Sequence, residues 1–362
     1  MTEWHPSIVE IEKVDNHPNA DRLDIATVLG NYPVIVKRGE YKVGDRAAYI
    51  PVDTVVPDNE MFHFLAGDKY PVGGVPEKRR IIKAKRLRDI FSMGLLVSAE
   101  GAVGDSVVEL LGLKKWEEEE EENSVPEKSK PRGDNKSNPK DWQCPYYDVE
   151  GIRKYYQALV ELNEPVVISE KLHGANIALT HDGSELWVKS RNYFKKSLAQ
   201  RQRDLDLRMA GLGQSSYVLD AQEDMWWDVA IRYGLEELLA KKPMLTFFGE
   251  VYGQVSKFPY DRGSHYSKFR AFDIYSHKEG RYLDHKEFIA ITSELGIEIA
   301  PILYEGELPS FEEIRKMASG MTTLGGKHIR EGVVVKTLVE KKIRNHFRAQ
   351  FKFVSEEYLL AK

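Results

Sequence analysis

Cysteine is almost absent: Cys144 is the one thiol in 362 residues. An internal disulfide and a cysteine-based zinc cluster are therefore excluded, and a reducing, intracellular and cytoplasmic setting is expected. Long apolar runs are missing as well. Nothing approaches the ~18 apolar residues of a membrane span, so no membrane partner is expected. The opening stretch MTEWHPSIVEIEKVD has neither the basic flank nor the apolar core of a secretory signal. A strong excess of one charge is lacking too, with 52 Lys and Arg against 57 Asp and Glu and a net charge of −5. That balance does not mark a nucleic-acid binder, but net charge averages over patches. No repeat of fixed period is visible.

What remains is globular: 42% apolar and 30% charged residues over a length that suits two domains. The composition breaks between Trp116 and Asp141. Six consecutive glutamates, Glu117 to Glu122, run into SVPEKSKPRGDNKSNPK. Such a stretch cannot bury enough surface to offset its ordering entropy, so it reads as a charged, solvated linker. The expected division is 1–115, a linker over 116–140, and 141–362.

Before the linker the pattern is short strands: Ser7 to Val14, Ile25 to Val28, Val34 to Lys37, Arg46 to Pro51 and Ser106 to Leu110. Turn residues punctuate them closely, which predicts a small barrel or sandwich. After the linker, strands are predicted at Pro165–Ser169, Ile177–Thr180, Phe247–Tyr252, Arg270–Tyr275, Glu331–Lys336 and Gln350–Phe353. Asp182-Gly183 reads as a hairpin turn. A helix is predicted over Asp224–Lys241, with Trp227, Ile231, Leu235 and Leu238 on one face. Ser310 to Glu313 forms a capping box opening another helix that stops at Gly320. The class is α+β.

Chemistry concentrates in SEKLHGAN, Ser169 to Asn176. Lys171 follows an apolar strand and precedes a glycine, so it projects from a strand end. A lysine nucleophile must be neutral, and at a pKa of ~10.4 only about 1 in 2,500 is neutral at pH 7. Alone, the string reads better as a surface lysine at a strand end. In order after it come Ser190-Arg191-Asn192, FGEVYG (Phe248 to Gly253), AFDIY (Ala271 to Tyr275), EGVVVK (Glu331 to Lys336) and Phe351-Lys352. Together these supply a lysine, further cations, two carboxylates and an aromatic ring. A nucleoside triphosphate with a hydrated divalent metal needs that set.

This ordered series resembles the motifs of the covalent nucleotidyltransferases, the polynucleotide ligases and capping enzymes. His173 in KLHG is similar to the RNA-ligase branch. HPNADRLDIATV, His17 to Val28, resembles a tRNA-binding OB domain. DNA ligases and capping enzymes carry their OB domain last, and here ten residues follow Lys352. An OB module placed first resembles the Naegleria/Deinococcus-type RNA ligases.

The resemblance implies an N-terminal OB-fold β-barrel and a C-terminal nucleotidyltransferase domain of antiparallel sheets with flanking helices. It implies an ATP-dependent ligase joining 3′-OH and 5′-phosphate RNA ends in nicked duplexes, with an RNA or DNA template strand, acting as a monomer with Mg²⁺ or Mn²⁺. Lys171 would carry the lysyl-adenylate, Glu170 would read the adenine edge and Phe272 would stack on it. Arg191 and Glu250 would fix ribose and phosphate, with Asn176 near the nucleotide. Glu250 and Glu331 would hold the metal, Lys336 and Lys352 would contact the α-phosphate, and His173 would orient the nucleophile or serve later steps. The family's last motif usually has two lysines one residue apart, and Gln350 and Val354 stand where the other would fall. Within the OB-like region, Lys78, Arg79, Arg80, Lys83, Lys85, Arg86 and Arg88 place seven cations in eleven residues, which suits an RNA backbone. The rival readings are a GTP-dependent capping guanylyltransferase and a non-catalytic RNA-binding protein with a degenerate transferase domain.

Overall fold

Alternation of apolar and polar residues builds both halves of this chain as antiparallel β structure. The computed structural model describes residues 4–66, 69–116, 135–210, 224–253, 260, 268–343 and 347–361. They fall into two compact units, one of residues 1–118, 150–158 and 356–362 and the other of 119–149 and 159–355. A single cut near the linker does not describe this division. Arg153 belongs with the first unit because it exchanges hydrogen bonds with Asn31 (3.1 and 3.2 Å) and pairs with Glu356 at 3.3 Å. Most of the expected linker, residues 117–134, lies outside the described residues.

In the first unit, Arg46–Ile50 lies between Ser7–Glu10 and Leu95–Val97. Both faces of that central strand are buried. Tyr49 and Ala47 join Val9, Val28, Val34 and Leu96, while Ala48 and Ile50 join Ile8, Val56, Phe62 and Ile82. Leu23–Val28 pairs with Lys13–Asn16 on one side and Tyr32–Lys37 on the other. Ser106 to Leu110 does not form the predicted strand. Val108–Leu111 is a helical turn that Gly112 ends at φ 63°. A short hairpin pairs Lys85–Leu87 with Ile90–Ser92 through Arg88 and Asp89, both at positive φ.

The second unit holds two antiparallel sheets. One runs Asn135–Lys136, Phe194–Lys195, Leu186–Lys189, Ala175–His181, Leu245–Tyr252, Lys268–Ser276 and Arg281–Tyr282. The other includes, in order, Gln350–Val354, Gly332–Thr337, Val166–Lys171 and Ile302–Gly306. Asp182-Gly183 makes the hairpin expected between Ala175–His181 and Leu186–Lys189. The 224–241 segment is two helices, Met225–Arg232 and Leu235–Ala240, because Gly234 adopts φ 58° between them. Of the expected face, Trp227 and Leu235 are buried and Leu238 packs on the core; Trp226, Val229 and Leu239 enter it as well, and Ile231 is left exposed. Phe311–Ala318 carries the expected Ser310–Glu313 capping box.

Candidate active site

The chain leaves one sheet at Lys171 and enters the other at Ala175, so Leu172-His173-Gly174 crosses the seam between them. Gly174 is required there, since a Cβ would run into the Val251 carbonyl. Gly332 is fitted in the same way against the Phe353 carbonyl. Strand pairing then assembles the site. Lys171 lies opposite Gly332, next to Glu331, and Asn176 lies opposite Glu250.

At the seam Lys171 Nζ meets Glu331 Oε1 at 2.7 Å, and His173 Nδ1 approaches Glu331 Oε2 at 3.6 Å. The His173 N–H donates to the Tyr260 hydroxyl at 2.7 Å, which fixes the crossing segment. Glu250 accepts a hydrogen bond from the Gly174 N–H. Burial pulls the Lys171 pKa down, but Glu331 and Glu250 outweigh it and hold the ammonium above its ordinary range. Burial likewise opposes ionisation of Glu331, yet Lys171 and His173 bring its carboxyl down to about 2. Glu250 goes the other way. Burial and the Glu331 charge exceed the help from Lys171, and its pKa is pushed up to about 8.

Two carboxylates compete here for one ammonium, a donor set that suits a hard divalent cation. Among the described residues no group of three or more His, Cys, Asp or Glu converges to hold a metal. An ion at Glu250 and Glu331 would therefore draw its other ligands from water and phosphate oxygens, as Mg²⁺ commonly does.

Arg191 stands close enough to act electrostatically on both Lys171 and Glu250. Its guanidinium donates to Asp148 Oδ1 at 3.2 Å and to the Tyr146 hydroxyl at 3.4 Å. Phe272 is half-buried and packs against the cluster of Leu172, Tyr252 and Tyr260 and against that of Tyr147 and Phe248. The register puts Lys352 opposite Val334 and Val334 opposite Ser169, on the sheet face that Lys171 shares.

Three of the expected site residues hold partners of their own in the structure. Glu170 points away from the Lys171 side. Adjacent strand residues point to opposite faces, and Glu170 is 1% exposed. Its carboxylate accepts from Thr322 Oγ1 (2.5 Å), Thr323 N (2.9 Å) and Thr323 Oγ1 (2.6 Å). Lys336 pairs across from Val167 rather than near Lys171, four residues or ~13 Å along the strand. There its Nζ binds buried Asp273 at 2.7 Å. Arg80 is spent on the Val56 and Val75 carbonyls. Lys78, Arg79, Lys83, Lys85, Arg86 and Arg88 are exposed. The residues that sequence reasoning passed over are Tyr146, Tyr147, Asp148, Tyr260 and the Thr322-Thr323 pair. The tyrosine pair followed by an aspartate, directly after the linker, was the one visible signal.

Residues 164–354, more than half of the chain, match the RNA ligase family, and residues 6–99 match an OB-fold domain. No curated protein matches the sequence significantly. Among solved structures, a Naegleria gruberi RNA ligase mutant with ATP and Mn superposes with a TM-score of 0.76 at 22% identity, over 99% of each chain. A Naegleria gruberi RNA ligase with PPi gives 0.72 at 22% identity, covering 99% of this chain and 98% of that one. A mutant with AMP and Mn gives 0.73 at 22% identity, over 99% of each chain. That likeness establishes a shared fold, α+β with an OB-fold first. With its own sequence matching over the whole catalytic region, the chain belongs to the RNA ligase family.

Proposed function

We propose that this protein is an ATP-dependent RNA ligase that joins a 3′-OH to a 5′-phosphate in nicked duplexes, through a lysyl-adenylate on Lys171 and an RNA-adenylate. The observation that carries this reading is the Lys171–Glu331 ion pair at the sheet seam, with Glu250 and His173 beside it. Relatives of the same fold hold ATP with Mn, AMP with Mn, or PPi, which supports the choice of nucleotide and metal.

The reaction runs in three displacements. Lys171 Nζ, once deprotonated, attacks the α-phosphorus of ATP; a P–N bond forms and pyrophosphate leaves. An oxygen of the RNA 5′-phosphate then attacks the same phosphorus, and the P–N bond breaks. The 3′-OH loses its proton and attacks the RNA phosphorus, and AMP leaves. Mg²⁺ or Mn²⁺ at Glu250 and Glu331 supplies positive charge that offsets phosphate charge and takes the electrostatic place of the departing lysine proton.

Glu331 fixes the position of Lys171 Nζ, and His173 steadies the other oxygen of Glu331. Arg191 and Lys352 serve as cations for ribose and phosphate, Phe272 is the ring that stacks on the base, and Asn176 lines the nucleotide. Positioning and charge stabilisation dominate, as in phosphoryl transfer generally. The exposed hairpin cations Lys85, Arg86 and Arg88 hold the RNA backbone. The test is a panel of nicked duplexes with RNA or DNA on each side of the nick and in the template. Sealing of 3′-OH RNA with ATP is expected. Labelling by GTP without sealing would favour a capping guanylyltransferase, and neither labelling nor sealing would favour a degenerate domain.

A further inference from the structure

Three consecutive residues, Tyr146-Tyr147-Asp148, precede the segment that matches the RNA ligase family, and yet they touch the site from two directions. Alternate residues of this irregular stretch point to opposite sides. Tyr146 and Asp148 both receive hydrogen bonds from Arg191. Tyr147 turns inward. Its ring lies 5.0 Å from that of Phe272 and 4.7 Å from that of Phe248. Its hydroxyl donates to Asp273 Oδ2 at 3.0 Å and accepts from Gln350 Nε2 at 2.5 Å.

The hydroxyl's direction is forced, because a carboxylate between cations can only accept and an amide N–H can only donate. Asp273 is 0% exposed and is held by Lys336 Nζ and Arg348 Nη2, each at 2.7 Å. Arg348 is itself clamped by Glu340 and lies 3.4 Å over the Tyr282 ring. Burial would raise the Asp273 pKa, but Arg348 and Lys336 keep it below the usual carboxylate range. Burial and Asp273 push the Tyr147 hydroxyl well up, so it keeps its proton. A buried polar network whose members are all partnered is rigid. It also accounts for Gln350. A lysine there would be a third cation beside Lys336 and Arg348, whereas the amide completes the Tyr147 hydroxyl.

We propose that Tyr146–Asp148 is a positioning strap of the active site, with Tyr147 setting the Phe272 ring and Tyr146 and Asp148 setting Arg191 before a nucleotide arrives. The strap deepens the proposed adenylyl transfer and rests on it. Tyr147 and Asp148 are positioning residues, since they act through Phe272 and Arg191.

The experiment is single-turnover self-adenylylation of the full-length chain against ATP concentration, with a thermal melt of each variant. Asp148→Asn should raise the half-saturating ATP concentration roughly 10-fold, the worth of a hydrogen bond to a charged group. Its melting midpoint should stay near that of the parent, and Asp148→Glu should recover most of the affinity. In an Arg191→Ala background, Asp148→Asn should add almost nothing, because the two act as one unit. Tyr147→Phe keeps the ring but removes the hydroxyl; it should also raise half-saturation, and it serves if Asp148→Asn does not fold. Unchanged half-saturation in both variants, or effects of Asp148→Asn and Arg191→Ala that multiply, would overturn the strap while leaving the ligase reading in place. A parent protein that takes up no AMP would overturn both.

Discussion

Replacing Glu170 separates a base-reading role from a structural one. The carboxylate is buried and accepts three hydrogen bonds from Thr322 and Thr323. Glu170→Ala strands those donors. The two hydroxyls can rotate toward other acceptors, but the Thr323 N–H cannot. Three hydrogen bonds to a charged acceptor are lost at ~1.5–3 kcal/mol each; with partial recovery from hydroxyl rotation and entering water, the loss is about 3–5 kcal/mol. For a unit of this size each kcal/mol moves the melting midpoint ~2–4 °C, so a drop of roughly 6–20 °C follows. Glu170→Gln keeps one acceptor but turns an amide donor toward the Thr323 N–H or a threonine hydroxyl, and should cost about 1–3 kcal/mol. Calorimetric melts and labelling with ATP and GTP in parallel would read both effects. A purely structural carboxylate predicts a lower midpoint with the ATP-to-GTP ratio unchanged. An unshifted midpoint together with a collapsed preference for ATP would refute this reasoning and restore Glu170 as the base reader.

Two further outcomes follow from the charges. Glu250 holds its proton up to a pKa of about 8, and a metal must displace that proton. Mn²⁺ affinity of the nucleotide-free protein should therefore climb with pH, about tenfold per unit below pH 8, and level off above it. Glu250→Gln should flatten the profile in a calorimetric titration, and an already flat profile in the parent would contradict the assignment. Replacing Lys85, Arg86 and Arg88 together by alanine should leave AMP labelling intact and weaken nicked-duplex binding. The slope of log K against log [salt] should become shallower by up to ~0.9 per lost contact on a B-form duplex, and identical slopes would give the hairpin another role.

The sequence carried the motif strands well because their signals are local. The apolar runs at Val166–Lys171, preceded by Pro165, and Gly332–Thr337, opened by a glycine, need no tertiary information to be read as strands. The Ser310–Glu313 box is equally local. Side-chain direction and distant partners were not legible. Glu170 adjoins Lys171 in sequence, but the period of two turns it to the opposite face, toward a threonine pair 152 residues away. Lys336 ends a strand whose start faces Lys171, and Asp273 captures it at the other end. The long helix over 224–241 kept its periodicity on paper, and only the positive φ at Gly234 shows the break. Tyr146–Asp148 has no regular structure at all, so no periodicity could point to it. Cations in the 78–88 stretch were legible as a group, but not which of them the backbone would claim, as it does Arg80.

The central claim, that Lys171 is the nucleophile, is tested most directly by incubating the full-length protein with ATP and Mg²⁺ or Mn²⁺, weighing it intact and mapping the adduct by peptide mass spectrometry. One AMP on Lys171, absent from Lys171→Ala, is the result the ion pair with Glu331 and the neighbouring Glu250 predict. AMP on any other lysine, or an adduct that survives Lys171→Ala, would contradict it.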